Sequence, residues 1–115
     1  MGAFDIWEEI QECSRMLNVA LEQAKSRGNQ MVEAEAAYYT AKARTAYQME
    51  RDGKSASFIG MVIKGMPGVS EAMELYHRRE IEYRNANEAI MVHKKQLDML
   101  REQYQREWTQ AGMQR

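Results

Sequence analysis

Apolar positions recur at alternating spacings of three and four along the second half of the chain. The slots of this stripe are Val69, Ala72, Tyr76, Tyr83, Ala86, Ile90, His93, Leu97, Leu100, Tyr104, Trp108 and Ala111, and the long cation Arg79 fills one more. A lone helix would leave such a stripe in water, so a facing helix is needed. The pattern predicts a helix over residues 69–111, with Ser70 as its N-cap residue.

A second stripe of the same spacing runs along the first half of the chain. Its slots are Ile6, Ile10, Cys13, Leu17, Ala20, Ala24, Met31, Ala34, Tyr38, Ala41, Thr45 and Met49. The stripe keeps its phase across Gly28-Asn29, although this pair could also break a helix. We expect one continuous helix over residues 5–52, with Asp5 as its N-cap residue and Glu8 as the capping-box partner.

Residues 53–68 separate the two stripes and contain the turn signals of the chain. Gly53 is expected to end the first helix, and Ser55 or Ser57 to cap a short helical segment over residues 58–63. The chain then turns at Gly65, Pro67 and Gly68.

The segment over residues 58–63 is apolar on nearly all sides. It either folds back over the end of the helix pair or contacts another molecule, since an exposed apolar segment marks an interaction surface. The residues expected to form such an oligomer or partner contact are Phe58, Ile59, Met61 and Val62.

Two helices of similar length joined by a compact turn predict an antiparallel helical hairpin. We expect an all-α, coiled-coil-like fold with a short helical tip, forming a single domain over residues 1–115. Small residues should face large ones across the seam. The expected pairs are Trp7 with Trp108, Leu17 with Leu97 or Leu100, Ala34 with Tyr83, and Ala41 with Tyr76.

Several apolar residues lie off both stripes and would stay exposed on an isolated hairpin. They are Tyr39, Tyr47, Leu75, Ile81, Met91, Val92 and Met99. Two helices alone bury little apolar surface, so their margin over chain entropy is small. We therefore expect the hairpins to pack into a homo-oligomeric helical bundle.

The composition is that of a helical protein without a membrane span. Charged residues make up 29% of the 115 residues, and Pro occurs once. No apolar run approaches the roughly 18 residues of a membrane helix, and no signal-peptide pattern begins the chain. Cys13 is the single cysteine and is expected to be a reduced core thiol. These features predict a cytoplasmic protein with no membrane partner.

The net charge of −1 is distributed unevenly. Residues 1–36 hold seven acids and three bases, residues 37–64 hold five bases and two acids, and residues 65–115 hold eight of each. The middle of the chain is therefore locally basic, at a net charge of +3. This pattern allows a local attraction to nucleic acid but implies no strong bulk attraction.

Few residues offer a catalytic or metal-binding arrangement. Glu74 and His77 form one Glu-x-x-His pair, whereas di-metal helical bundles use this pair twice. His93 lies on the second stripe and is expected to be a core histidine that shares a hydrogen bond. We expect a non-enzymatic protein without a cofactor or a bound metal.

Cations and tyrosines are interleaved in the half of the hairpin nearest the predicted tip. Cations that hold phosphates beside flat rings that stack on bases are typical of single-strand binders. The candidate residues for binding nucleic acid or a partner are Lys42, Arg44, Tyr47, Arg51, Lys54, Lys64, Arg78 and Arg84. The alternative is that the tyrosines are core rings and the cations are solvated.

A series of short stretches carries a family resemblance. They are Glu33 to Tyr38, Ala41 to Ala43, Glu50 to Ala56, Ile63 to Gly65, Val69, Glu71-Ala72, Glu74-Leu75, Arg78-Arg79, Ala86, Ala89-Ile90, Lys94 and Arg106 to Trp108. Over about two thirds of the chain they resemble small uncharacterised α-helical proteins of phages and prophages, mainly of Gram-positive bacteria. Genes of that group often lie near recombination and single-strand-binding genes. The resemblance implies a phage-encoded accessory in the bacterial cytoplasm.

These observations predict an oligomeric helical protein that assists DNA recombination or replication. Its expected partners are itself and either single-stranded DNA or a replication or recombination protein. The alternative is a phage inhibitor or anti-defence protein that sequesters a host protein or a signalling nucleotide, because oligomers of small hairpins can form pockets between subunits.

Overall fold

The structure is a computed structural model that describes residues 2–113. Its elements are α1 (Ala3–Arg51), α2 (Ala56–Val62), a single 3-10 turn (Ile63–Gly65) and α3 (Val69–Met113). The predicted all-α class is confirmed, and no strand occurs in the described part of the chain. None of the helices within residues 2–113 has the length and apolar character needed to cross a bilayer.

A glycine stands immediately before each long helix, and an acidic residue follows three positions later in the first helical turn. The Gly2 N–H donates to the Asp5 carboxylate at 3.4 Å, and the Gly68 N–H donates to the Glu71 carboxylate at 2.9 Å. Each acid sits in the first helical turn and satisfies the N–H of the residue just before the helix. The predicted N-cap residues Asp5 and Ser70 are therefore wrong, because glycine takes that position in both cases.

The end of α1 follows the predicted glycine stop. Gly53 has a φ of +82°, a backbone conformation that favours glycine. Its N–H donates to the Glu50 carbonyl, and the Lys54 N–H donates to the Met49 carbonyl, both at 3.0 Å. These two bonds form a Schellman motif, which satisfies carbonyls at the helix end.

Ser55 begins the tip helix α2. Its hydroxyl oxygen accepts a hydrogen bond from the Phe58 N–H at 3.2 Å, so the predicted Ser55 cap is confirmed. The predicted segment over residues 58–63 is divided between the end of α2 and the 3-10 turn.

The chain divides into two compact units, each built from part of α1 and part of α3. The first unit comprises the described residues up to Lys25 and from Asn85, and the second comprises Ser26–Arg84. In the first unit, the Cys13 Sγ lies 3.5 Å from the His93 carbonyl oxygen.

In the second unit, the pairing of α1 with α3 is antiparallel. Tyr38 stacks on Tyr76 with ring centroids 6.0 Å apart, and Arg27 pairs with Glu82 at 3.5 Å. The residue number decreases along α1 as it increases along the paired segment of α3, so the two segments run in opposite directions. The predicted helix pairing is confirmed for this unit.

The register of the pairing differs from the predicted one in the second unit. Tyr76 packs on Tyr38, three residues before the predicted Ala41, and Tyr83 lies against Gly28, six residues before the predicted Ala34. A methyl group added at Gly28 would lie 3.1 Å from Cε1 of Tyr83. The missing side chain of Gly28 makes room for the ring, and this explains why α1 keeps a glycine within a continuous helix.

Each unit has a thin core. The buried residues are Ile6, Cys13, Ala20, Ala24 and Leu97 in the first unit, and Ala34, Tyr38, Met49, Ile63 and Val69 in the second. Trp108 and Ala111, the last slots of the predicted second stripe, are exposed. The off-stripe apolar residues from Tyr39 to Met99 are exposed as expected. Packing into an oligomeric bundle stays a prediction.

Candidate functional site

All candidate binding residues lie in the second unit. Arg44, Tyr47 and Arg51 are exposed and fall at spacings of three and four, so they share one face of α1. The Tyr47 side chain is 64% exposed, and the Arg51 guanidinium carbon lies 5.9 Å from the centre of its ring. We call these three residues the arginine–tyrosine stripe.

The arginine–tyrosine stripe lies in a part of α1 with few acids. Residues 36–49 contain no Asp or Glu. The acids of α1 nearest to Arg44 in sequence on its C-terminal side are Glu50 and Asp52 at the end of the helix, where Asp52 accepts a hydrogen bond from Gln48 at 3.3 Å. No acid of α1 lies within one helical turn of Arg44, so its own helix leaves it open to an anion.

Lys42 lies on another face of α1. At about 100° per residue, it is roughly 140–160° around the helix from Arg44 and Tyr47. Its ammonium nitrogen lies 5.9 Å from the centre of the Tyr38 ring. The structure therefore does not bring Lys42 together with the arginine–tyrosine stripe.

Tyr38 is the centre of an aromatic column. Its ring centroid lies 5.2 Å from that of Tyr39 and 6.0 Å from that of Tyr76, and Tyr76 stacks on His77 at 5.6 Å. Tyr38 is buried and Tyr76 is half-buried, which agrees with the alternative that the stripe tyrosines are core rings.

The environment of Tyr76 keeps its phenol neutral. Burial first, and then the negative charges of Glu35 and Glu80, raise the pKa of Tyr76 above its ordinary value of 10.0. A neutral, partly buried ring suits packing between the helices.

The tip presents some of its apolar residues and buries others. Ile63 is buried, and Ile59 and Val62 are half-buried. Met61 is 80% exposed and Phe58 is 42% exposed. The segment therefore folds back through Ile63 while it leaves Met61 and Phe58 free to contact another molecule.

Cations flank this apolar surface. The Lys54 ammonium lies 5.6 Å from the centre of the Phe58 ring, within the range of a cation–π contact. Lys64 is also exposed in the 3-10 turn that follows α2. The tip is thus an apolar surface with a basic rim.

Two arginines of α3 form ion pairs with acids of the same helix. Arg78 pairs with Glu74 at 3.0 Å, and Arg79 pairs with Glu82 at 2.9 Å. Glu82 also reaches Arg27 of α1 at 3.5 Å, so it bridges the two helices. Arg78 is consequently a weaker candidate for phosphate binding than Arg44.

Arg84 is exposed on α3. It lies six positions after Arg78, which turns it roughly 120° away around the helix. The predicted basic residues therefore lie on several faces, and Arg44, Tyr47 and Arg51 share one of them.

No family model, curated protein or solved structure matches this chain. The resemblance to phage and prophage proteins therefore stays a prediction.

The Glu-x-x-His pair has local partners. Glu74 pairs with Arg78, and the His77 Nδ1 lies 3.0 Å from a Glu80 carboxylate oxygen. Among residues 2–113, no group of three or more His, Cys, Asp or Glu side chains could hold a metal ion.

The first unit also has an aromatic surface that the sequence did not single out as a binding site. In the first unit, Ala3, Phe4, Trp7, Tyr104 and Trp108 line an open cleft of about 470 Å³. Phe4 stacks on Trp7 at 6.5 Å, and Tyr104 meets Trp108 edge-on at 6.1 Å. The signal was present, since the expected Trp7–Trp108 pairing placed two of these rings together. We call this surface the aromatic cleft.

Proposed function

We propose that this protein is a non-enzymatic, self-associating helical protein that binds single-stranded DNA and assists recombination or replication. The arginine–tyrosine stripe carries the proposal. An exposed ring with a cation one helical turn away on either side offers a base one flat face and offers the flanking phosphates two charges. Arginine also forms bidentate contacts with phosphate oxygens.

The accessible surface of the chain supports self-association. It amounts to 8583 Å² for 13.4 kDa, whereas a compact monomer of this mass exposes roughly 6,500 Å². Large apolar side chains are exposed in both units, among them Phe4 and Trp108 in the first and Tyr47 and Met61 in the second. Burial against further copies would remove that surface from water.

Replacing the two arginines of the stripe tests the DNA-binding proposal. Arg44→Glu with Arg51→Glu should weaken binding to a labelled oligothymidine by roughly tenfold or more, because both phosphate contacts are lost and become repulsive. Tyr47→Ala should cost about 1–3 kcal/mol through the lost stacking. Fluorescence anisotropy at low salt measures both effects.

Lys94→Glu with Lys95→Glu is the matched control for charge. Both lysines are exposed on α3 in the first unit, so the same charge change there should leave binding nearly intact. Lys42→Glu should also have a smaller effect than the stripe variant because it lies on another face. Losing two phosphate contacts should flatten the salt dependence, with the log–log slope falling by roughly 1.4. Absence of binding at low salt, or equal loss in the control, would contradict the proposal.

A further inference from the structure

Two exposed apolar surfaces have no role in the proposed DNA contact. One is the aromatic cleft of the first unit, in which the Phe4 side chain is 70% exposed and that of Trp108 is 55% exposed. The other is the tip surface of the second unit, formed by Phe58 and Met61. Exposed apolar surfaces of this kind mark interaction sites.

The two surfaces are complementary in form. The cleft is concave and is lined by four aromatic rings and Ala3. The tip surface belongs to a short helix in which Met61 is 80% exposed and projects a large apolar side chain. A methionine thioether is flexible and packs favourably on aromatic rings, so it suits an irregular aromatic cleft.

The charges around the two surfaces are also complementary. Residues 2–12, on the α1 side of the cleft, contain four acids and no base, a net charge of −4. One of these acids, Glu12, is paired with Arg15. The α3 side of the cleft, residues 100–113, has two acids and two bases and is neutral.

Residues 53–68, which form the tip, contain two bases, Lys54 and Lys64, and no acid, a net charge of +2. A cleft against a second cleft would bring acids together, and a tip against a second tip would bring bases together. A tip against a cleft brings opposite charges together, and such complementarity selects the partner surface.

We propose that the tip surface of one copy inserts into the aromatic cleft of a second copy. This inference rests on the self-association part of the proposed function and names the contact that produces it. The contact is heterologous, since it joins two different surfaces, and each copy keeps one free cleft and one free tip. Further copies can therefore add until a ring closes or a filament grows.

Two single variants and their mixture test this contact. Met61→Glu disables the tip surface and leaves the cleft, whereas Trp108→Glu disables the cleft and leaves the tip. Analytical ultracentrifugation of the full chain should show assembly of the unmodified protein and a monomer for each variant. An equimolar mixture of the variants should form a dimer and nothing larger, because only one competent tip and one competent cleft remain to pair.

Fluorescence gives a second readout of the same contact. The chain has two tryptophans, and both line the cleft. Their emission should change when Met61→Glu is titrated with Trp108→Glu, since the former keeps both tryptophans. Asn87→Glu is the control for the added charge, because Asn87 is an exposed polar residue of α3 outside both surfaces and its replacement should leave assembly unchanged. Circular dichroism confirms that each variant is folded.

Other assembly patterns overturn the inference in distinguishable ways. Assembly of Met61→Glu with loss in Trp108→Glu would show cleft-to-cleft pairing, and the reverse would show tip-to-tip pairing. Assembly of both variants, or failure of their mixture to pair, would place the contact elsewhere. In these cases the proposed self-association survives and the tip-to-cleft contact fails. A monomeric unmodified protein would contradict both, whereas loss of DNA binding alone would leave this contact intact.

Discussion

His93 is the residue whose environment departs most from the sequence-based expectation. Its ring is half-buried on the seam of the first unit, and its Nδ1 is buried without a hydrogen-bond partner among the described residues. The backbone carbonyl of the same residue accepts the Cys13 thiol. The expected shared hydrogen bond is thus made by the backbone, and the prediction is wrong for the Nδ1 atom.

Replacing His93 with leucine should stabilise the protein. Burying a polar atom without a partner costs about 1–3 kcal/mol, and the half-buried position favours the lower end, about 1 kcal/mol. His93→Leu should therefore raise the free energy of unfolding measured by urea denaturation. His77→Leu is the control, since His77 is exposed and contacts Glu80, and it should bring no gain. A loss of stability in His93→Leu would mean that the nitrogen has a partner in solution.

Glu82 gives the fold a dependence on pH. The hydrogen bond from Arg79 holds the pKa of the Glu82 carboxyl below its ordinary value of 4.5, and the charge of Arg27 on α1 adds to this effect. Because the folded pKa is lowered, the stabilisation is present above the ordinary value and is lost as pH falls through the lowered pKa.

The comparison of Glu82→Gln with the unmodified protein isolates this effect. At neutral pH the variant should have the lower melting temperature, and the gap should close as the solution is acidified below the ordinary pKa of 4.5. Glu88→Gln is the control, because Glu88 is exposed on the same helix and the substitution removes the same charge there. A gap that persists at low pH would indicate a packing effect of the substitution.

At the scale of elements, Gly28 allows helix α1 to pack closely against Tyr83 of α3. Glycine within a helix is about 1 kcal/mol less favourable than alanine. Gly28 nevertheless lies inside a helix of 49 residues. Its missing side chain admits the Tyr83 ring, so packing between the helices outweighs the local preference.

Gly28→Ala and Gly60→Ala should therefore differ. Nothing lies within 4 Å of a methyl group added at Gly60, so that variant should gain up to about 1 kcal/mol of stability from helix propensity. The methyl group at Gly28 would lie 3.1 Å from Tyr83, which offsets the gain. Combining Gly28→Ala with Tyr83→Ala should recover the gain, and a double-mutant cycle by thermal denaturation measures this coupling. Additive effects would argue against the contact.

The helices were predictable from sequence, whereas their ends and their register were less so. Periodic apolar slots identify a helix because the interval of three and four follows from its geometry. Asp5 and Ser70 looked like N-cap residues because their side chains suit that position, but a glycine can fill it when an acid follows in the first turn. Sliding one helix by a turn keeps every slot on the seam, so only side-chain volume decides between Tyr38 and Ala41 as the partner of Tyr76.

The candidate site was predicted in composition and not in arrangement. The cations and tyrosines were identified as a group. The spacing along α1 already separates Lys42 from the face of Arg44 and Tyr47, since it follows from helix geometry alone. The pairing of Arg78 with Glu74 was also accessible as an i, i+4 relation. The position of Arg51 over the Tyr47 ring depends on side-chain conformation, which the sequence does not specify.

At the scale of the whole molecule, each of the two units has a small hydrophobic core. Their cores consist of few side chains, and several of these are alanines that bury little apolar area. Large apolar side chains, including both tryptophans, stay exposed. Self-association would therefore serve stability as well as function, since binding of a folded copy favours the folded state by mass action. Periodicity pairs Trp7 with Trp108, but it does not predict an open cleft between their rings, because that depends on side-chain conformation.

The buried thiol of Cys13 can serve as a chemical probe of local opening in the first unit. It is the single cysteine of the chain and lies on the seam of the first unit. Burial should slow its modification by a thiol reagent, so the modification rate relative to that of an unfolded chain reports how often α1 and α3 separate there. The thiol thus reports on local opening of the first unit, whereas five of the six tyrosines of the chain lie in the second unit.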